Sequence, residues 1–108
     1  MTEKTLLELI KKTSEDLHVP ENVYKTGLAV LKAESGLKPD ALNVDQYGTC
    51  DFGIAQFNSL WYWSKKKVIH PKDALDPYKA LPVFWKMFQI NPYDWVTYRT
   101  GKYKEFLK

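Results

Sequence analysis

Apolar residues recur at helical spacing through the first third of the chain. Leu6, Leu7, Ile10, Ser14 and Leu17 fall near one stripe, with lysines and acids opposite, which predicts an amphipathic helix over residues 3–17. His18-Val19-Pro20 is the break. Pro20 or Glu21 can start a second helix, because the first turn of a helix leaves its N–H groups unpaired anyway and proline's missing donor costs nothing there. Val23, Gly27, Val30, Leu31 and Glu34 are spaced by three and four and share a face of that helix, which runs to about Ser35. Gly36 is a natural helix end, and Pro39 prevents resumption.

From Leu37 to Asn58 the helical period disappears. Asp40, Asn43, Asp45, Gly48, Asp51 and Gly53 supply turn chemistry between short apolar alternations, the pattern of a small two- or three-stranded antiparallel lobe. Ser59 to Val68 reads as a short helix carrying Trp61 and Trp63. Asp76-Pro77 and Asn91-Pro92 are both cap-then-proline helix starts. Leu81, Val83, Phe84, Phe88 and Ile90 lie between them, with Pro82 expected to bend or delay the helix. Residues 92–99 predict a last short helix ended near Gly101. The expectation is a single α+β domain over 1–108, mainly helical, with one small antiparallel β-lobe flanking a cleft.

Composition narrows the class. The chain has 108 residues, 44% hydrophobic and 27% charged, enough for one core and against wholesale disorder. A net charge of +3 is too modest to argue for a nucleic-acid binder. The single cysteine, Cys50, excludes a disulfide within the chain. His18 and His70 have no partner at ligand spacing, so neither a zinc site nor any other cofactor is expected. Lys65, Lys66 and Lys67 read as a solvated helix end, or as contacts to anionic polymer. Met1 to Thr5 lead into a charged amphipathic stretch instead of an apolar signal core, and there is no transmembrane run.

Two carboxyl groups carry the chemistry. Glu34 closes the second helix beside Val30 and Leu31, where desolvation and the negative end of the helix dipole both favour the protonated form. Such a group can protonate a glycosidic oxygen. Asp51 follows seventeen positions later and opens Asp51-Phe52-Gly53-Ile54-Ala55-Gln56-Phe57-Asn58-Ser59, which runs into Trp61-Tyr62-Trp63. Asp45, in the same lobe, is the rival for the second carboxylate. Of the tryptophans, Trp61 is assigned to sugar binding, and Trp63 stands evenly between core and cleft.

Ala33-Glu34-Ser35-Gly36 followed by the Asp51–Ser59 segment resembles the active-site signature of the lysozyme superfamily, both c-type lysozymes and bacterial or phage lytic transglycosylases. The resemblance covers roughly residues 20–100. It implies Glu34 as general acid and Asp51 as nucleophile or charge stabiliser. It implies that Gln56 and Asn58 shape the cleft floor, with Asn58 touching sugar, and that Trp61 and Tyr62 form a paired aromatic platform. Trp95-Val96-Thr97-Tyr98-Arg99 resembles the helix whose tryptophan packs against the catalytic glutamate; lysozyme is itself the standard worked case of that packing. Tyr98, one turn on, either hydrogen-bonds Glu34 or merely packs.

The chain departs from the c-type branch in lacking paired cysteines, which places it nearer the phage and bacterial branch. The expected activity is hydrolysis of the bond between N-acetylmuramic acid and N-acetylglucosamine in peptidoglycan. The alternatives are a lytic transglycosylase, which leaves anhydro-muramic ends, and a non-catalytic glycan binder on the same fold. The expected partner is the glycan strand, with no nucleic acid, no stable membrane insertion and a monomeric state. A protein made without a signal core would reach the wall through a holin, a virion or a secretion machine.

Overall fold

In the computed structural model, which describes residues 1–45 and 48–107, the apolar stripe of the first helix meets two others. Helix α1 (Glu3–Asp16) buries Leu6, Ile10 and Ser14, and its N-terminus is capped by Thr2, whose hydroxyl accepts from Thr5 N. Helix α2 (Glu21–Ser35) follows the break at His18–Pro20 and ends at Gly36 in the left-handed conformation. Both helices meet their predicted limits within a residue.

Three short strands then form an antiparallel sheet in the order β1 (Leu42–Val44), β2 (Cys50–Phe52), β3 (Phe57–Asn58). Asp51 stands opposite Asn43 on one side and Asn58 on the other. Gln46 and Tyr47, inside the predicted lobe, and Lys108, at the end of the predicted domain, lie outside the described residues. Gly53 turns the chain after β2 with φ +80°, and an added Cβ there would lie 1.8 Å from the Ala74 carbonyl oxygen. Only glycine can make that turn against that backbone.

The tryptophan-bearing segment Ser59–Lys65 is a π-helix, wider than the α-helix that its sequence suggests. Helix α3 (Pro71–Ala74) is a single turn, and α4 (Pro77–Ile90) starts at the predicted cap, with Asp76 Oδ1 accepting from Tyr78 N. Pro82 neither delays nor ends α4, which continues through it. The interior proline removes one helical hydrogen bond. Burial of Ala80, Leu81, Phe84, Trp85 and Phe88 on one face offsets that loss.

The core lies where α1, α2 and α4 meet the floor of the lobe. Val30, Leu31, Ile54, Leu81, Phe84 and Trp85 are fully enclosed. Trp85 passes so close to α2 that a Cβ on Gly27 would fall 2.3 Å from its ring. Its indole donates to Ile10 O at 3.3 Å, which ties α4 to α1.

The predicted helix over 92–99 is split. Pro92–Asp94 form a 3₁₀ turn, Trp95 is extended, and α5 (Val96–Arg99) follows. The reason is Trp95 itself: it is buried among Phe57, Phe84 and Phe88, and its indole donates to Ala55 O at 2.8 Å. A continuous helix would surrender that anchoring. A 3₁₀ segment, Lys102–Phe106, ends the fold against α2. No helix among the described residues is long and apolar enough to cross a membrane.

Candidate active site

A cleft of about 660 Å³ separates the sheet from the helices. Glu34, Asp45, Asp51 and Asp94 line it together with Arg99, Gln56, Asn58, Trp61, Tyr62, Trp95 and Val96. Seven of the eight predicted site residues therefore come together there, drawn from α2, the sheet, the turn that precedes β3, the π-helix and the segment before α5.

Glu34 enters from the last turn of α2. Its neighbour Ser35 is buried and donates to Ile54 O at 2.7 Å, across to the loop behind β2. That bond fixes the end of α2 against the lobe that carries Asp51. Burial pushes the Glu34 carboxyl above the ordinary glutamate range. A hydrogen bond from the Thr97 hydroxyl at 2.8 Å opposes the shift, the negative charge of Asp51 adds to it, and Lys102 subtracts. Desolvation is the largest of these effects, and the net direction is upward.

Asp51 is half-buried on β2, and its carboxyl is also raised, first by desolvation and further by Asp45. Asn58 opposes this, donating to Asp51 Oδ1 at 2.9 Å. The same amide nitrogen reaches Thr49 Oγ1 at 3.0 Å. Its carbonyl partner accepts from Leu60 N at 2.9 Å and Trp61 N at 3.0 Å, capping the π-helix. Asn58 thus holds the second carboxylate and the aromatic segment in one side chain. Asp45 accepts from Thr49 N and the Thr49 hydroxyl, which ties it to the hairpin turn.

The predicted aromatic platform is present in part. Trp61 is 43% exposed on the cleft, with the Lys66 ammonium 4.6 Å from its ring centroid. Tyr62 departs from the expected exposed platform: only 3% exposed, it packs edge-on against Phe57 and donates its hydroxyl to Asp94 Oδ2 at 2.7 Å. The Phe57 ring and the Asp94 carboxylate take Tyr62 inward, whereas Trp61 beside it stays open. Trp63 turns away from the cleft and meets His70 edge-on.

Trp95 is core and borders the cleft with Glu34, as expected. Tyr98 does not line the cleft: it faces a different hollow with Pro20, Val23 and Phe88, and stacks on Tyr103. Packing is its observed part, and the hydrogen bond to Glu34 comes from its neighbour Thr97. Gln56 is 8% exposed with φ +52°; its amide donates to Gly53 O at 2.8 Å and accepts from Asn43 at 2.7 Å, which braces the lobe.

No protein-family model and no curated protein sequence matches this chain.

Four contributors escaped the sequence reading: Ser35, Thr49, Asp94 and Thr97. Each acts through side-chain hydrogen bonds that the folded chain brings together, and a lone polar side chain carries no periodic signal. Ser35 and Thr97 lie inside the motifs around Glu34 and Trp95, and Asp94 follows the Asn91-Pro92 helix start, but none of the three is assigned a part there. Among the described residues no three metal-ligating side chains converge. Chemically, the cleft offers a carboxyl group whose protonated form is favoured by burial, a second carboxyl group lining the same cleft and a partly exposed indole. That set suits proton donation to a leaving oxygen, with nearby stabilisation of positive charge.

Proposed function

We propose that this protein is a peptidoglycan muramidase on a lysozyme-like fold, cleaving the bond between N-acetylmuramic acid and N-acetylglucosamine. The observation that carries the reading is the desolvated Glu34, with its raised carboxyl, sharing one cleft with Asp51. A protonated Glu34 gives its proton to the glycosidic oxygen as the C–O bond breaks and the electron pair leaves with that oxygen. Asp51 meets the positive charge that develops on the muramic ring, by electrostatic stabilisation or by attack. Water then completes the reaction, with Glu34 acting as base. Trp61 supplies a flat apolar face for a sugar ring at the cleft edge.

Glu34→Gln tests the reading. Release of fragments from purified peptidoglycan should fall at least a hundredfold, the usual scale for losing a general acid. Clearance at the parent rate would refute catalysis by this residue. Mass spectrometry of the fragments decides the product. Free reducing muramic ends support hydrolysis; anhydro-muramic ends, lighter by one water, would reassign the protein as a lytic transglycosylase. Folded parent protein that binds the glycan and releases nothing would make it a non-catalytic binder.

A further inference from the structure

Thr97 stands behind the acid, outside the lining of the cleft, and two of its donors point at one oxygen. Its hydroxyl lies 2.8 Å from Glu34 Oε2, and its backbone N–H lies 3.5 Å from the same atom. Trp95, the residue that precedes α5, offers that short helix no side-chain cap, so Glu34 is the acceptor presented to the Thr97 N–H. A hydroxyl can reverse and accept a proton. That reversal is what a proton on Oε2 would require, while the second lone pair of Oε2 could still accept the backbone N–H, so the hydroxyl is the donor that favours an unprotonated Oε2. The two oxygens of Glu34 are therefore inequivalent.

We propose that Thr97 is a positioning residue for the acid, holding Oε2 so that Oε1 alone carries the proton and delivers it into the cleft. The inference rests on the glycosidase reading above. During transfer the Oε1–H bond breaks and an O–H bond forms on the leaving oxygen. The carboxylate left behind keeps the Thr97 hydrogen bond, which is stronger to a charged acceptor. Oε1 is then free to take a proton from the incoming water. Without the Thr97 hydroxyl, only the 3.5 Å backbone contact would remain on Oε2, and the carboxyl would be freer to rotate and share its proton between both oxygens, one of them turned from the substrate.

Other charges face Glu34 as well. Asp51 on β2 and Lys102 after α5 act on it directly, and Asp45, Asp94 and Arg99 share the cleft. None of these changes in a Thr97 variant, so a shift in that variant reports the lost donor.

The test compares Thr97→Val, which keeps the shape and removes the hydroxyl, with Thr97→Ser, which keeps the donor. Glu34 is titrated by carboxyl ¹³C NMR, and cleavage of peptidoglycan is followed against pH. In Thr97→Val the titration midpoint should rise, and kcat should fall about ten- to a hundredfold with KM unchanged, the scale of a misplaced reacting group. Thr97→Ser should restore both to near the parent. A Thr97→Val protein that titrates and turns over like the parent overturns the proposal, as does a serine variant that behaves like valine. The titration needs no substrate, so the two readings fail separately. Parent protein that cleaves normally beside an unshifted Thr97→Val refutes the positioning role alone. Parent protein that never cleaves, with the shift intact, refutes the glycosidase reading and the role built on it while leaving the hydrogen bond established.

Discussion

Replacing Asn58 with alanine removes a side chain whose two ends do different work. The carbonyl end caps the π-helix through Leu60 N and Trp61 N, and the amide end holds Asp51 and Thr49. Loss of a capping side chain costs about 1 kcal/mol. A hydrogen bond to a charged carboxylate contributes about 1.5–3 kcal/mol, and because Asp51 is only half-buried the lower end applies. Together they predict a loss of about 2–3 kcal/mol at neutral pH, or a fall in Tm of roughly 8–15 °C for a chain of this size.

The loss should depend on pH in a defined direction. The Asp51 carboxyl is already raised in the folded protein, and removing the Asn58 donor raises it further. An acid whose folded pKa lies above its unfolded value stabilises the fold below the unfolded pKa, and that contribution is lost as pH rises through the folded pKa. The variant's deficit should therefore be largest at pH 7, where Asp51 is ionised, and smaller near pH 3, where it is neutral in both proteins. Thermal unfolding of parent and variant followed by circular dichroism across that range measures it. A Tm within 2 °C of the parent at pH 7, or a deficit that does not shrink in acid, would refute the reasoning.

Other perturbations bear on different parts of the molecule. Trp95→Ala should lower the Glu34 titration midpoint by admitting water beside it, measured by carboxyl NMR, and should destabilise the fold by about 3–5 kcal/mol in urea unfolding. Gly53→Ala meets both a positive φ and the Ala74 carbonyl, so soluble expression and cooperative unfolding should both be lost. Tyr62→Phe should cost about 1 kcal/mol in denaturant unfolding, because the hydroxyl bond to Asp94 disappears while the ring still packs. The alkaline limb of the parent's pH–rate profile should lie above the ordinary glutamate range, since activity falls as Glu34 loses its proton; a limb at the ordinary value would show that burial does not protect the acid.

The extent to which the sequence anticipated the site differs by the range of each interaction. The limits of α1 and α2 were legible because a stripe of apolar residues, a proline and a terminal glycine are local signals. The split at Trp95 was not, because the extended conformation of that residue serves a hydrogen bond to Ala55, forty positions earlier. Tyr62 shows the same limit. The aromatic run marks the segment, but only the packing of Phe57 and the acceptor on Asp94 determine which ring turns inward.

Element order, the turn-rich lobe after the second helix, and the placement of an acid at a helix end are consequences of short-range chemistry, and the chain alone dictates them. The protonation of that acid is different. It depends on how much water the closed structure removes, on Asp51 in the same cleft, and on a threonine sixty-three positions away. Desolvation and through-space charge act over distances that only folding sets, so residue order can nominate Glu34 but cannot tune it.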